Sequence, residues 1–136
     1  MKRILVAALA PVAVTACLCS DFADSVEGSW LLESGALEGE EIPLRASHPV
    51  TMILEDGRIS ETAACNGYRG RYRISGSGFE IPEGLAVTEM ACSPAEVMET
   101  ERLYLDALLA TDRVAVEESG LILTGAGVEL VFVPNV

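Results

Sequence analysis

Histidine and lysine are nearly missing from this chain: His48 and Lys2 are each the single example of their kind. A lone histidine removes most routes to catalysis, because a nucleophile needs an adjacent base and an acid–base pair needs perturbed groups converging in a cleft. It also argues against zinc, since His48 with Cys65 and Cys92 matches no common ligand spacing. No Cys-x-x-Cys pair occurs, which removes the usual redox motif. No apolar run reaches the roughly 18 to 20 residues that a spanning helix requires. An enzyme would therefore rest on carboxylates alone, and no catalytic residue, metal or cofactor is expected.

The N-terminus has a pattern of its own. "MKRILVAALAPVAVTAC" sets Lys2 and Arg3 before an apolar run from Ile4 to Val14, then small residues before Cys17. That is the layout of a secretory signal. "VTAC", residues 14–17, resembles the lipobox of bacterial lipoproteins, in which the signal is cut before the cysteine and that cysteine is acylated. The expected organisation is a signal peptide over 1–16, an acylated tether over 17–27 beginning at Cys17, and a folded domain over 28–136. Several acyl chains anchor a protein to a membrane without a spanning helix, at about 0.8 kcal/mol per buried methylene. Leu18 is not the aspartate that directs inner-membrane retention in well-described bacterial lipoproteins. That resemblance implies the periplasmic face of the outer membrane.

Positive charge is also scarce. The whole chain carries a formal net charge of −12, and without residues 1–16 it has 7 basic residues, all arginine, against 21 acidic ones. Such a balance opposes nucleic acid, whose phosphates dominate affinity, and suits either plain solubility or a basic partner. Export is consistent with the cysteines. With Cys17 acylated and Cys19 in the tether, Cys65 and Cys92 remain. An oxidising compartment favours a structural bridge between them over a reactive pair, because no histidine stands near either in sequence to lower its pKa.

The rest reads as short strands around one helix. "SWLLES" (29–34) is a first strand with Trp30 as core anchor. Residues 50–55 and 58–62 flank Asp56-Gly57, a hairpin dipeptide. Strands follow over 68–75, over "FEIP" and "LAVTEM", and over "RVAVEE", "LILT" and "VELVFV". Turn signals about every ten residues suggest a small sandwich or barrel. Ser93-Pro94-Ala95-Glu96 reads as a capping box with proline at the first helical position. On that helix Val97, Met98, Tyr104, Leu105, Leu108 and Leu109 share an arc of about 140°. Glu101 falls inside it. Either Glu101 accepts bonds from a buried arginine or a backbone group, the favoured reading, or the stripe is interrupted where the helix is exposed.

"ACNGYRGRY", "VTEMACSP" and "ExxYLxAL" together resemble the META domain, the family that includes the heat-shock HslJ lipoproteins of the bacterial envelope. The matching residues are Cys65, Asn66, Tyr68, Gly70, Tyr72, Thr88, Met90, Ala91 and Cys92, then Glu101 and Tyr104, over roughly 28–133. Ala64 stands where the family has glycine. The resemblance implies an α+β fold, a compact antiparallel, barrel-like β-sheet with one amphipathic helix, and a Cys65–Cys92 disulfide. It implies no enzymatic activity, only a general link to envelope and stress response.

Within this pattern Tyr68, Gly70, Tyr72 and Ile74 face the core, leaving Arg69, Arg71 and Arg73 outward. The favoured role for that row is pairing with Glu55, Glu61 and Glu89, worth a few tenths of a kcal/mol per pair. The functional role is recognition of a carboxylate or phosphate. The leading expectation is a lipid-anchored envelope accessory protein, membrane-bound through its anchor and binding an envelope protein or glycan. The alternatives are an inhibitor of a basic secreted enzyme, such as a lysozyme or protease, and a carrier of an apolar ligand between sheet and helix.

Overall fold

The computed structural model describes residues 25–136. The signal over 1–16, acylation at Cys17, Cys19 and most of the tether lie outside the described residues. The alternating burial of β3 (Thr51–Glu55) and β4 (Arg58–Ala63) follows from their sequences, with Met52, Leu54, Ile59 and Ala63 inward. Between them Asp56 and Gly57 both have positive φ, 50° and 75°, as a tight hairpin turn with right-handed strand twist needs. β1 (Gly28–Leu37) runs three residues past the expected SWLLES end, because β11 (Val128–Pro134) pairs along it through a bulge between Leu32 and Ser34. Gly35 permits that continuation. A Cβ there would lie 2.8 Å from Leu130 Cδ2 and 2.9 Å from Ile42 Cδ1. The short β2 (Glu40–Glu41), which pairs with the end of β1, has no sequence signal.

The expected 68–75 strand is two strands. β5 (Asn66–Arg71) and β6 (Arg73–Ser75) are parted at Tyr72, whose backbone N–H donates to Gly57 O at 2.9 Å instead of continuing a ladder. The hydrogen-bonded order is β6-β7-β9-β10-β11-β1-β3-β4-β5-β8, with β7 at Gly78–Glu80, β8 at Leu85–Val87, β9 at Arg113–Glu117 and β10 at Gly120–Gly125. β5 and β6 thus adjoin in sequence yet lie towards opposite ends of the path. One connecting residue spans that distance only if the sheet curls round on itself, and the result is an antiparallel half-barrel.

One long helix, α1 (Ala95–Ala110), packs on β1, β11 and β4 and covers the interior. The capping box does not form. Pro94 itself is the cap residue, with ψ 167°, and there is no side-chain cap bond; Val97 N–H donates to Pro94 O at 3.0 Å. Helical geometry starts one residue later than a Ser93 cap requires, which takes the serine hydroxyl away from the first turn's donors. The buried arc is also rotated. Val97, Thr100, Glu101, Leu103, Tyr104, Ala107 and Leu108 are inward, whereas Leu109 is 50% exposed and Met98 and Leu105 are only partly covered. The shift from the expected arc is about 90° of helix rotation. Ala107 and Thr100 are among the buried positions, and the Thr100 hydroxyl donates to the carbonyl of Pro43 in the loop after β2. The outer face carries the Glu99–Arg102–Asp106 network.

The core is filled by Met52, Leu54, Ile59, Leu108, Leu121, Leu123, Leu130 and Phe132 around two tyrosines. Trp30 is buried as expected and donates its indole N–H to Val26 O at 2.9 Å. Tyr68 and Tyr104 meet edge to face, with hydroxyl oxygens 2.7 Å apart. Tyr68 donates its one hydroxyl proton to Thr51 O at 2.7 Å, so Tyr104 is the donor to Tyr68. Tyr68→Phe therefore strands a buried hydroxyl on Tyr104, while Tyr104→Phe leaves the Tyr68 bond intact. The expected losses in urea denaturation are about 2–3 kcal/mol for Tyr68→Phe and about 1 kcal/mol for Tyr104→Phe; equal losses would contradict the donor order.

Burial pushes both phenols above their ordinary value, and the neighbouring Tyr104 adds to the rise at Tyr68. A raised folded-state pKa contributes its full stability below the unfolded value of about 10 and loses it as pH rises towards the folded value. In an alkaline titration, phenolate absorbance from Tyr68 and Tyr104 is expected only together with loss of near-ultraviolet dichroism. Their ionisation in a still-folded protein would show that solvent reaches them.

Candidate functional site

The turn between β4 and β5 is built on a buried amide. Asn66 is 2% exposed, yet each polar atom of its side chain is occupied. Its Nδ2 donates to Glu101 Oε2 at 2.8 Å and to Met90 O at 3.1 Å, while its Oδ1 accepts from Met90 N at 2.6 Å and from Thr88 Oγ1 at 2.9 Å. Asn66 N–H donates to the second oxygen of Glu101 at 2.6 Å. Glu101 is thus held by a backbone group and an amide, with no arginine involved. Its place inside the apolar arc follows from that pairing. Cys65 and Cys92 form a disulfide next to this clasp, with Cα atoms 5.9 Å apart. Closing 27 residues of sequence in this way stabilises by roughly 3–4 kcal/mol in the chain-entropy model. Met90 takes part through its backbone alone, its side chain being 55% exposed. Thr88 accepts from Gly67 N–H, and Thr88 N–H donates to Gly67 O, which docks the segment after β8 beside β5.

Above this clasp the outer side of the sheet carries arginine. Tyr68 is buried, Gly70 and Tyr72 are half-buried, and Tyr72 stacks on Phe79 with ring centroids 5.9 Å apart. Gly70 is glycine because a Cβ there would lie 2.8 Å from Gly84 O. Arg69 and Arg71 point outward, as expected, but the row does not continue to Arg73. The break at Tyr72 carries Arg73 away to β6, where it pairs with Glu80 across the β6–β7 ladder at 3.0 Å. Its place on the face is taken by Arg58. β4 and β5 pair in a register that sets Arg58 opposite Arg71 and Ser60 opposite Arg69.

The expected partners Glu55, Glu61 and Glu89 form no ion pair with these arginines. Among the described residues none of Arg58, Arg69 and Arg71 has a carboxylate within 4.0 Å, whereas Arg45, Arg73 and Arg102 each do. Pairing therefore explains Arg73 and leaves the other two unexplained. Arg58, Arg69 and Arg71 line a hollow of about 520 Å³, together with Ser60, Glu83 and Ala86. The signal for Arg58 was present in the sequence. Reading Ala64-Cys65 as a two-residue turn starts β5 at Asn66 and brings Arg58 to Arg71 directly.

His48 lies in the loop before β3, its ring 3.1 Å from the neighbouring Ser47 hydroxyl, and does not line the hollow of Arg58, Arg69 and Arg71. Among the described residues no group of three His, Cys, Asp or Glu side chains stands close enough to hold a metal ion. No helix of those residues is long and apolar enough to cross a membrane.

Comparison with known proteins agrees with the architecture. The META domain model matches residues 20–136. A solution structure of a protein from Burkholderia xenovorans superposes with a TM-score of 0.70 at 23% identity, covering 99% of this chain and 98% of that one. A second solution structure superposes at 0.62 and 20% identity, covering 82% and 92%. At such identities the likeness concerns the fold. No curated protein matches the chain.

Two like charges directly across an antiparallel pair repel, so the Arg58–Arg71 register should lower stability. Arg71→Glu converts it to an attractive pair. The expected gain is about 0.5–1 kcal/mol in urea denaturation at about 20 mM salt, shrinking towards zero at about 500 mM as screening shortens to a few ångströms. A loss of stability at low salt would mean that the two guanidiniums do not repel.

Proposed function

The chain belongs to the META domain family, and from that premise we propose that it is a non-catalytic accessory protein of the bacterial cell envelope, anchored by lipid at Cys17, that holds an anionic envelope component on the face formed by Arg58, Arg69 and Arg71. The observation that carries this reading is that three guanidiniums gather on one sheet face without an internal ion pair, in a chain with 21 acidic residues available to pair them. If pairing were their only role, acidic neighbours of this number would be expected on the facing positions. One acidic residue does face the row, Glu55 opposite Arg58 without an ion pair, whereas Ser60 and Ala86 stand opposite Arg69.

Lipid anchoring is supported by the lipobox-like "VTAC" at residues 14–17. The periplasmic side of the outer membrane is the proposed location, on Leu18 after the acylated cysteine. A role in envelope integrity or stress response fits a protein that binds and does not transform.

The full chain is the bait for the test, beside a variant with Arg58, Arg69 and Arg71 all changed to serine and one with Cys17→Ser. Envelope material retained by the first should be released by about 0.5 M salt, which screens such contacts beyond a few ångströms, and should be lost from the triple variant at unchanged dichroism. Palmitate labelling in cells should mark the full chain and vanish in Cys17→Ser. Retention of the same material by the triple variant would remove the arginine face from the function, and labelling that survives Cys17→Ser would remove the anchor.

A further inference from the structure

We propose that the hollow bounded by Arg58, Arg69 and Arg71 is a binding site for a phosphomonoester group. This rests on the reading that the face takes an anion, and adds which anion.

The register places the three side chains around one point. Arg58 and Arg71 are directly opposed across β4–β5, a relation that sets Cβ atoms about 5 Å apart. Arg69 is two residues away on β5, on the same face and across from Ser60, so the serine hydroxyl stands among the three guanidiniums. On the far side Ala86 of β8 lies opposite Arg69, with a side chain too short to fill the space. Four donor-bearing side chains thus surround a shallow floor.

Charge selects the ligand within the class of anions. Glu83 is the one carboxylate in this hollow, against three guanidiniums, a local balance of about +2. A phosphomonoester carries about −1.5 to −2 at neutral pH and offers three terminal oxygens. A carboxylate or a phosphodiester would offset only one of these charges and leave the Arg58–Arg71 repulsion in place. Fork-shaped guanidiniums each engage two oxygens, so two arginines and a hydroxyl can share one phosphate without competing for the same lone pairs. The adjoining hollow on the other side of Arg58 and Arg71 shares Ser60 but holds Glu55 and Asp56 and is locally neutral, which directs the anion to the Arg69 side.

The rest of the molecule limits the size of the ligand. With a net charge of −12, the protein as a whole disfavours an extended polyanion. A single compact phosphate group reaches the site with little of that repulsion. The group can belong to a membrane lipid or to a soluble sugar phosphate, and the two sources share the chemistry recognised here.

The test uses the isotopically labelled full chain in a non-ionic detergent, titrated with inorganic phosphate, glucose 1-phosphate and succinate while the Ser60 amide and the arginine Nε–H signals are followed. Both phosphates are expected to shift these signals to saturation, with succinate at least about tenfold weaker, because its two charges sit on separate carboxylates and only one of these can enter the hollow, a difference of one charge-assisted contact. Arg58→Ser and Arg71→Ser are each expected to weaken phosphate about tenfold without lowering thermal stability. Succinate binding as tightly as phosphate, with the same arginine dependence, would overturn the phosphate assignment and leave the anionic face standing. No arginine-dependent shift with any of the three would overturn both. Vesicles of phosphatidylcholine with and without phosphatidic acid identify the source. Arginine-dependent retention on the phosphatidic acid vesicles assigns it to a membrane lipid, and its absence beside glucose 1-phosphate binding assigns it to a soluble ester.

Discussion

Asn66 and Glu101 clasp each other across 35 residues of sequence, through two hydrogen bonds of 2.6 and 2.8 Å made by one residue to both oxygens of one carboxylate. The placement of three segments follows from that contact. It ties the β4–β5 turn to α1 and, through Met90 and Thr88, to the segment after β8. Glu101 is 7% exposed, so removal of the Asn66 side chain would leave one carboxylate oxygen buried without its partner while the backbone N–H still holds the other, a loss of about 1–3 kcal/mol. A polar network of this kind is worth having only when complete, and this one has no buried side-chain atom lacking a partner. It specifies a single seat for the helix where apolar packing alone would tolerate a rotation.

The clasp reaches the outer surface through strand alternation. Fixing Asn66 at the start of β5 fixes every later residue of that strand to one face or the other: Tyr68 goes in, to the hydroxyl chain with Tyr104 and Thr51, and Arg69 and Arg71 go out. A slip of one residue would bury guanidiniums and expose the tyrosine. The interior polar network and the exterior arginine face are therefore two consequences of one register. Gly70 extends the same logic to the neighbouring strand, because the missing Cβ lets the Gly84 carbonyl approach and seats β8 beside Arg69. A substitution inside the clasp would be felt on the outer face without touching an arginine.

Much of this was legible in the sequence because the signals are local. The Asp56-Gly57 hairpin, the alternation in β3, β10 and β11, and the inward Tyr68 each rest on a few adjacent residues, as do the Met90 and Cys92 matches to the family pattern. What misled was tertiary. The helix phase was read from apolar residues alone, but Leu109 is outward and Thr100 inward, since the Asn66 clasp and the Pro43 carbonyl decide the rotation. Tyr72 was expected to continue a strand, and a single contact with Gly57 O ends it, sending Arg73 to Glu80. Arg58 carries no local signal of its place, because its partner across the ladder is set by a turn at Ala64-Cys65 that contains no glycine.

That turn also shows how local costs can be told apart. Ala64 holds φ 66°, a left-handed conformation that costs an alanine about 1–2 kcal/mol relative to a right-handed one. The strain has an internal reason: the turn must bring Cys65 to its disulfide and Asn66 to Glu101 at once, and both gains exceed it. The Arg58–Arg71 opposition is only partly answered from within the fold, by Glu55 across β3–β4 from Arg58, which closes no ion pair with it. A serine or threonine at either position would relieve the repulsion and pack as well on an exposed strand. Strain at Ala64 is thus explained from within the fold. The repulsion that remains at Arg58 and Arg71 is what the proposed anion would offset.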